Sequence, residues 1–103
     1  MKAAITTRSG APAVIEIQDM AKPESRPGWI RIAVKAFGLN RSELFTRQGH
    51  SPGVQFPRIQ GIECVGVVDE DVSGTYAVGQ QVAAIMGGMG RFFNGGYAEY
   101  ALV

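Results

Sequence analysis

The sequence predicts a mainly β domain, either a barrel or a sandwich, with one short helix. Short runs of strand-forming residues follow one another along the chain, separated by turn signals rich in Gly, Pro, Ser and Asn. Only one window changes to the spacing of a helix. A parallel α/β sheet would need helical segments between its strands, so this pattern argues against one.

The first three predicted strands lie in residues 2–6, 14–17 and 29–37. A turn that contains Gly and Pro joins the first two, which predicts a hairpin. Residues 22–28 form a loop, because their two prolines fix φ and remove two backbone donors. In residues 29–37 apolar side chains alternate with others, which is the period of a strand.

A short helix is predicted over residues 40–48, where the strand-like alternation has stopped. Asn40 or Ser42 can cap its start. Gly49 stands directly after the last turn, a position where glycine commonly ends helices. Residues 49–58 are broken by Pro and Gly and are predicted to form a loop.

Three more strands are predicted in residues 61–69, 80–86 and 97–103. The first is mostly apolar, which suits a strand that is buried on both faces. Gly66 interrupts it and predicts either a bulge or a close approach by another backbone. The predicted core consists of aliphatic side chains from these strands: Ile5, Ile15, Ile17, Ile30, Ile32, Val34, Val65, Val67, Val82, Ala84 and Ile85.

Composition limits the class of protein. The chain has 103 residues, 46% of them hydrophobic, and a formal net charge of +1, which fits one domain with a single core. No apolar run is long enough for a membrane span. Cys64 is the single cysteine and has no partner for an internal disulfide, so we expect a reducing, cytoplasmic location.

Basic residues are concentrated in the middle of the chain. Residues 22–58 contain seven Lys or Arg against two Glu. Such an excess can face a phosphate-bearing cofactor or a nucleic acid. Outward-facing side chains on a strand account for it more simply, and no nucleic-acid-binding motif accompanies it. We therefore expect neither a nucleic acid nor a membrane as a partner.

Four motifs follow one another along the chain: WIRIAVKAFGLN, RSELFTRQG, PRIQGIECVGVV and GGYAEYALV. In this order they resemble the N-terminal, GroES-like catalytic domain of the medium-chain dehydrogenase/reductase superfamily, over essentially the whole chain. The resemblance implies that residues 1–103 form a GroES-like, partly open β-barrel with one or two short helices. It also implies a Rossmann NADP-binding domain outside these residues. We therefore expect the 103-residue chain to be a portion of a longer oxidoreductase and to be inactive alone.

Two positions distinguish the branches of that superfamily. Zinc-type alcohol dehydrogenases carry a cysteine and a histidine where this chain has Asn40 and Ile62, and neither an amide nor an aliphatic side chain is a good zinc ligand. The resemblance thus implies the zinc-independent quinone oxidoreductase branch and no metal site. The pattern of that branch matches Gly38, Asn40, Glu43, Phe45, Arg47 and Gly49, with Phe45 standing where tyrosine is common.

The same resemblance gives roles to individual side chains. Asn40 and Glu43 are the candidate catalytic residues, because the Asn40 amide can donate a hydrogen bond to an acceptor oxygen. The candidate residues of the substrate and cofactor cleft are Phe45, Arg47, Met86, Met89 and Phe92. Simpler roles remain open: Asn40 caps the helix, Arg47 pairs with Glu43 one turn away, and Phe45 belongs to the core.

Two further features are assigned structural roles. Glu63 lies within a predicted buried strand, so we expect it to bond an arginine or backbone amides at the floor of the cleft. The glycine-rich residues 86–96 contain a G-x-G at Gly88 and Gly90, but no helical pattern follows it. We expect this segment to be a loop between strands and not a phosphate site.

The implied function is the substrate side of an NADPH-dependent oxidoreductase that reduces quinones or enones by hydride transfer without zinc. The expected partners are NADP and a small quinone or enone, and a homodimer of the full-length protein fits the resemblance. Two alternatives remain: an alcohol dehydrogenase-like domain that has lost its metal, and a non-catalytic GroES-like interaction module.

Overall fold

The computed structural model describes residues 1–103, which form two antiparallel β-sheets and one α-helix. The mainly β fold class is confirmed, and the sheets do not close into a barrel, as in a partly open GroES-like fold. The elements in chain order are β1 Lys2–Thr6, β2 Ile15–Asp19, β3 Arg31–Ala36, α1 Arg41–Arg47, β4 Arg58–Ile59, β5 Glu63–Glu70, β6 Gln81–Ile85 and β7 Tyr100–Leu102. A 3-10 turn, Pro12–Val14, precedes β2. No helix is both long and apolar enough to cross a membrane.

The smaller sheet has the strand order β2-β1-β4. The predicted hairpin of β1 and β2 is confirmed, with Lys2 opposite Asp19 and Thr6 opposite Ile15. The other edge, β4, was not predicted, since Arg58 was placed in a loop. It pairs Ile59 with Ile5 over only two residues, too few to show the alternation that marks a strand in sequence.

The larger sheet has the strand order β6-β5-β3-β7. Its central pair, β3 and β5, places Val34 opposite Gly66, and the register shifts directly after Val34. A Cβ on Gly66 would overlap the carbonyl oxygen of Ala33 on the neighbouring strand. The predicted close backbone approach at Gly66 is therefore confirmed, and it explains why glycine stands inside a strand.

Eight of the buried hydrophobic residues form two clusters of four. The first contains Ala3, Ile5, Ile59 and Ala98. The second contains Ile32, Cys64, Met89 and Ala101, with Ile30, Val34, Val82 and Ala84 packed half-buried against it.

Four predicted core residues are exposed, and the prediction was wrong for them. Ile17 is 72% exposed and Ile85 69% exposed, and Ile15 and Val65 are also open to solvent. Ile15, Ile17 and Ile85 lie on strands at the edges of their sheets, and β5 is buried mainly on one face instead of both. The pattern of a strand identifies its two faces but not whether a neighbour covers each of them.

Charged side chains fasten the loop before β3 to strand β5. The Arg31 guanidinium donates to Asp69 Oδ2 and to Glu70 Oε2, both at 2.7 Å. Lys22 Nζ lies 2.8 Å from the same Asp69 oxygen. Hydrogen bonds from Lys22 and then from Arg31 lower the pKa of Asp69 below its ordinary value. Two of the seven basic residues in the middle of the chain are thus neutralised within the fold.

Replacing Asp69 by asparagine is expected to lower the free energy of unfolding by about 1 kcal/mol at pH 7, because Arg31 and Lys22 lose a charged acceptor whose side chain is only 25% exposed. The Asp69 pKa is lower in the folded chain, so its contribution is present above the ordinary aspartate pKa and is lost as the pH falls through the folded value. Urea unfolding of both proteins from pH 7 down to pH 3 measures this.

The matched control is Asp19→Asn at the end of the edge strand β2, where the side chain makes no ion pair. It should leave stability within about 0.5 kcal/mol of wild type. A deficit for Asp69→Asn that stays constant between pH 7 and pH 3 would contradict the assignment.

Candidate active site

The N-terminus of α1 is built around two of the predicted site residues. Asn40 is the N-cap, with extended backbone angles of φ −120° and ψ 152°. Its backbone N–H donates to Glu43 Oε2 at 2.8 Å, the carboxylate half of a capping box. The other oxygen, Oε1, accepts the Ile62 backbone N–H at 3.1 Å. Glu43 therefore joins the start of α1 to the segment that leads into β5, and the residue is only 5% exposed.

A second buried polar contact fixes α1 from the other side. Gln60 Nε2 donates to the Glu43 carbonyl oxygen at 3.0 Å, and Thr6 Oγ1 donates to Gln60 Oε1 at 2.7 Å. Sequence reasoning missed Gln60, although a glutamine between apolar strands was a usable signal.

Burial, and then the nearby Glu43 charge, raise the pKa of Tyr97 to about 12. The helix start thus sits in a fixed environment of paired polar groups.

One polar atom in this environment is left without a partner. The Asn40 amide nitrogen, Nδ2, is buried and makes no hydrogen bond within the chain. Buried side-chain donors are nearly always paired, because an unpaired one costs about 1–3 kcal/mol. The hydrogen-bonding capacity of Asn40 Nδ2 can therefore be met only by a partner from outside the chain.

Beside Asn40 lies an apolar groove of about 420 Å³ between the ends of β3, β5 and β6. Its lining residues are Ala36, Phe37, Gly38, Glu63, Cys64, Val65, Ala83, Ala84 and Ile85. A Cβ on Gly38 would lie 3.5 Å from Asn40 Nδ2, so the amide stands directly beside this wall of the groove. Asn40 itself is not a lining residue of the groove, so its link to the groove runs through Gly38.

Glu63 is the one charged residue in the lining of the groove. Its carboxylate packs against Gly38, where a Cβ would overlap it. The prediction that Glu63 bonds an arginine or backbone amides was wrong, since its side chain is in none of the ion pairs or hydrogen bonds of the chain. Because the side chain is only partly buried, water can hydrate the carboxylate in place of a protein partner.

Two predicted cleft residues lie on α1. Phe45 is exposed and is not part of the core. Arg47 does not pair with Glu43, because the Glu43 carboxylate is occupied by backbone amides. The Arg47 guanidinium instead donates to the Gly10 carbonyl, and the Gly10 N–H donates to the Arg47 carbonyl at 2.8 Å. Arg47 thereby fastens α1 to the turn between β1 and β2.

The other three predicted cleft residues lie in the segment 86–96. Met86 and Phe92 are well exposed, and Met86 has a positive φ of 60°. Met89 is 1% exposed, because it packs in the core with Ile32 and Cys64. Its side chain therefore lines no open cleft in this structure, in contrast to the expectation.

The glycines of this segment serve packing. Gly90 has a φ of 75°, and a Cβ there would lie 2.6 Å from the Gly61 carbonyl oxygen. Gly95 approaches the same carbonyl even more closely. No helix follows the segment, which bridges back on itself between Met89 and Phe93. These residues do not fit the phosphates of a dinucleotide.

The side chains that could act as metal ligands also do not fit a zinc site. Nowhere in residues 1–103 do three or more His, Cys, Asp or Glu side chains form a group that could hold a metal ion. Burial raises the pKa of the Cys64 thiol, which disfavours the thiolate that zinc requires. Asn40 and Ile62, at the positions compared with the zinc ligands, supply an amide and an aliphatic group, and neither is a good zinc ligand.

Two antiparallel sheets that do not close into a barrel, with one short helix, fit the partly open GroES-like domain of the medium-chain dehydrogenase/reductase superfamily. The chain belongs to the alcohol dehydrogenase GroES-like domain family, whose model matches residues 26–103.

Known proteins resemble the chain in sequence and in fold. A mouse protein, synaptic vesicle membrane protein VAT-1 homolog-like, is 33% identical over an alignment of 90 residues that covers 84% of this chain and 21% of that protein. An NAD-dependent alcohol dehydrogenase has a TM-score of 0.90 at 28% identity, over 100% of this chain and 37% of its own. The quinone oxidoreductase of Coxiella burnetii has a TM-score of 0.87 at 30% identity, over 100% and 34%. A mycobacterial protein solved with NADPH has a TM-score of 0.85 at 28% identity, over 100% and 31%. The chain thus spans between a fifth and two fifths of these proteins.

Proposed function

We propose that residues 1–103 form the substrate-side catalytic domain of an NADPH-dependent oxidoreductase that reduces quinones or conjugated carbonyls without zinc. The observation that carries this proposal is the unpaired, buried Asn40 Nδ2 beside an apolar groove. The likeness to a quinone oxidoreductase and to a protein solved with NADPH supports the acceptor class and the cofactor.

The proposed hydride transfer needs a hydrogen-bond donor beside the carbonyl oxygen of the acceptor. When bound, the reduced nicotinamide supplies a hydride to the far carbon of the conjugated carbonyl, and the displaced electron pair moves onto the carbonyl oxygen. That oxygen becomes negatively charged, and a preorganised donor stabilises it more in the transition state than in the ground state. Asn40 Nδ2 is such a donor. Water can provide the proton that completes the reduction.

Glu43 acts in this proposal as a positioning residue. Both carboxylate oxygens accept backbone N–H groups, one from Asn40 itself and one from Ile62. The carboxylate is therefore unavailable as a general base, but it fixes the backbone from which the Asn40 amide projects. Its predicted catalytic role becomes an indirect one.

The zinc-free part of the proposal rests on donor chemistry. A metal that polarises a carbonyl needs thiolate, imidazole or carboxylate ligands around it. The residues at the two decisive positions, Asn40 and Ile62, do not provide them. A neutral hydrogen-bond donor takes over the role of the Lewis acid.

The test uses protein expressed from the complete gene. NADPH oxidation, followed by its absorbance, is expected with a benzoquinone or a cyclic enone as acceptor and not with a simple alcohol and NADP. Metal analysis of the same sample is expected to find less than one zinc per chain, and a strong chelator should leave turnover unchanged. Stoichiometric zinc whose removal abolishes turnover would establish the zinc-type alternative. Absence of turnover with every acceptor would favour the interaction module.

A further inference from the structure

We infer that Glu63 makes the groove selective for neutral acceptors that carry a hydroxyl or an N–H group next to the carbonyl. This inference rests on the proposed function and specifies its substrate class. A plain quinone or enone would satisfy Asn40 alone and leave the Glu63 carboxylate facing an apolar molecule.

The first observation is a donor and an acceptor that have no partner within the chain. Asn40 Nδ2 is a donor without an acceptor, and the Glu63 carboxylate is an acceptor without a donor. Both groups lie beside Gly38. A Cβ added to Gly38 would lie at contact distance from Asn40 Nδ2 and would overlap the Glu63 carboxylate. A carbonyl oxygen meets the first group, and an adjacent O–H or N–H meets the second.

The second observation is the lining of the groove. Seven of its nine lining residues are hydrophobic, and no Lys or Arg is among them. A ligand body that fills the groove is therefore apolar. An anionic substituent would face the Glu63 carboxylate with no cation to offset it, so carboxylated or sulfonated acceptors are disfavoured.

The third observation concerns how Glu63 is held. Its carboxylate occupies the space that any side chain at position 38 would fill, so Gly38 is what allows it to lie beside Asn40. An alanine at position 38 would push the flexible end of Glu63 away without removing its charge. Asn40 Nδ2, at 3.5 Å from the added Cβ, is at an ordinary contact distance and need not move.

The experiment compares two substrates in the full-length protein: a cyclohexenone with a hydroxyl on the saturated carbon next to its carbonyl, and the methyl ether of that compound. The ether keeps the carbonyl and the conjugated bond and is only one methyl group larger, but it loses the O–H. We expect wild type to show a kcat/KM at least about tenfold higher for the hydroxy compound, since hydrogen bonds to charged groups are stronger than neutral ones.

Three variants test whether the preference for the hydroxy compound comes from the charge and the position of Glu63. Glu63→Gln should reduce the preference to a few-fold, because a neutral amide oxygen is a weaker acceptor, and Glu63→Leu should abolish it. Gly38→Ala should lower it although the charge is retained. The control Glu16→Gln, on the exposed strand β2, should keep the full preference. Because each preference is a ratio measured on one sample, partial unfolding of a variant cancels.

Failure of this inference differs from failure of the proposed function. If wild type reduces both compounds with equal kcat/KM, or prefers the ether, the inference is overturned and the proposed function stands. If no acceptor is reduced, the proposed function fails, and binding decides the inference. Calorimetry with the corresponding saturated hydroxyketone and its methyl ether should then show tighter binding of the hydroxyketone to wild type but not to Glu63→Leu. Equal binding to wild type would overturn the inference.

Discussion

Replacing Asn40 by aspartate is expected to lower kcat for quinone or enone reduction by about 10²–10³-fold. This is the typical effect of removing one preorganised donor from a developing oxyanion. The change replaces Nδ2 with an oxygen that repels the charge it should stabilise. KM should change much less, since the lost interaction belongs mainly to the transition state. Steady-state kinetics in the full-length protein measures both values.

The fold should survive this change. Aspartate is as good an N-cap residue as asparagine, and the bond from the backbone N–H of residue 40 to Glu43 does not involve the altered atoms. The N-cap should therefore be retained, but a buried carboxylate near that of Glu63 should lower the midpoint of thermal unfolding, so kcat is compared at a temperature at which both proteins are folded. Asn40→Ser offers a second, uncharged variant that also caps helices but is too short to place a donor at the Nδ2 position.

Asn94→Asp is the matched control for Asn40→Asp. The Asn94 side chain works through its oxygen, which accepts the Ile59 N–H at 3.0 Å, and aspartate retains that oxygen. Its kcat should stay near wild type. Equal activity of Asn40→Asp and wild type would show that the unpaired donor is not used in the reaction.

Replacing Gly66 by alanine is expected to lower the free energy of unfolding by about 3 kcal/mol or more. The new Cβ would overlap the Ala33 carbonyl oxygen and lie 2.9 Å from Ile32 Cγ2. Relief requires β3 and β5 to separate, and these are the two central strands of the larger sheet. The side chain of Ile32 belongs to the core, so the disturbance reaches the buried cluster.

Gly74→Ala distinguishes this clash from the ordinary cost of losing a glycine. Gly74 has a φ of 71° in an exposed turn, and nothing lies within 4 Å of an added Cβ. Its cost should be the strain of a left-handed alanine, about 1–2 kcal/mol. Urea unfolding of both variants gives the comparison. Equal losses would mean that the sheet yields at Gly66 and that the close approach is soft.

Much of the fold could be predicted because its elements repeat a pattern. The alternation in β3, the turn in the first hairpin and the cap before α1 are all local signals, and each predicted element was found. Gly66 was informative for the same reason, since a glycine inside an apolar strand usually marks a bulge or a close backbone approach. Strand β4 left no such signal, as two residues carry no period.

The site was less predictable because it depends on contacts between distant segments. The spacing of Asn40 and Glu43 allowed a cap, but the bond from Ile62 to Glu43 joins residues 19 positions apart. Arg47 could pair with Glu43 by spacing, yet Glu43 is occupied and Arg47 reaches Gly10 instead. Met89 was assigned to the cleft because the family resemblance places its loop near the substrate, whereas the glycines of the loop let it fold onto Gly61 and bury Met89.

The unpaired edge of β6 can promote aggregation of the protein. That strand pairs only with β5, so its other side offers a row of free backbone groups, with the exposed Ile85 at its end. Such an edge is a template for the addition of a strand from another chain, which leads to aggregation. A lysine in place of Gln81, an exposed residue at the start of this strand, would act as a gatekeeper against such assembly at high concentration.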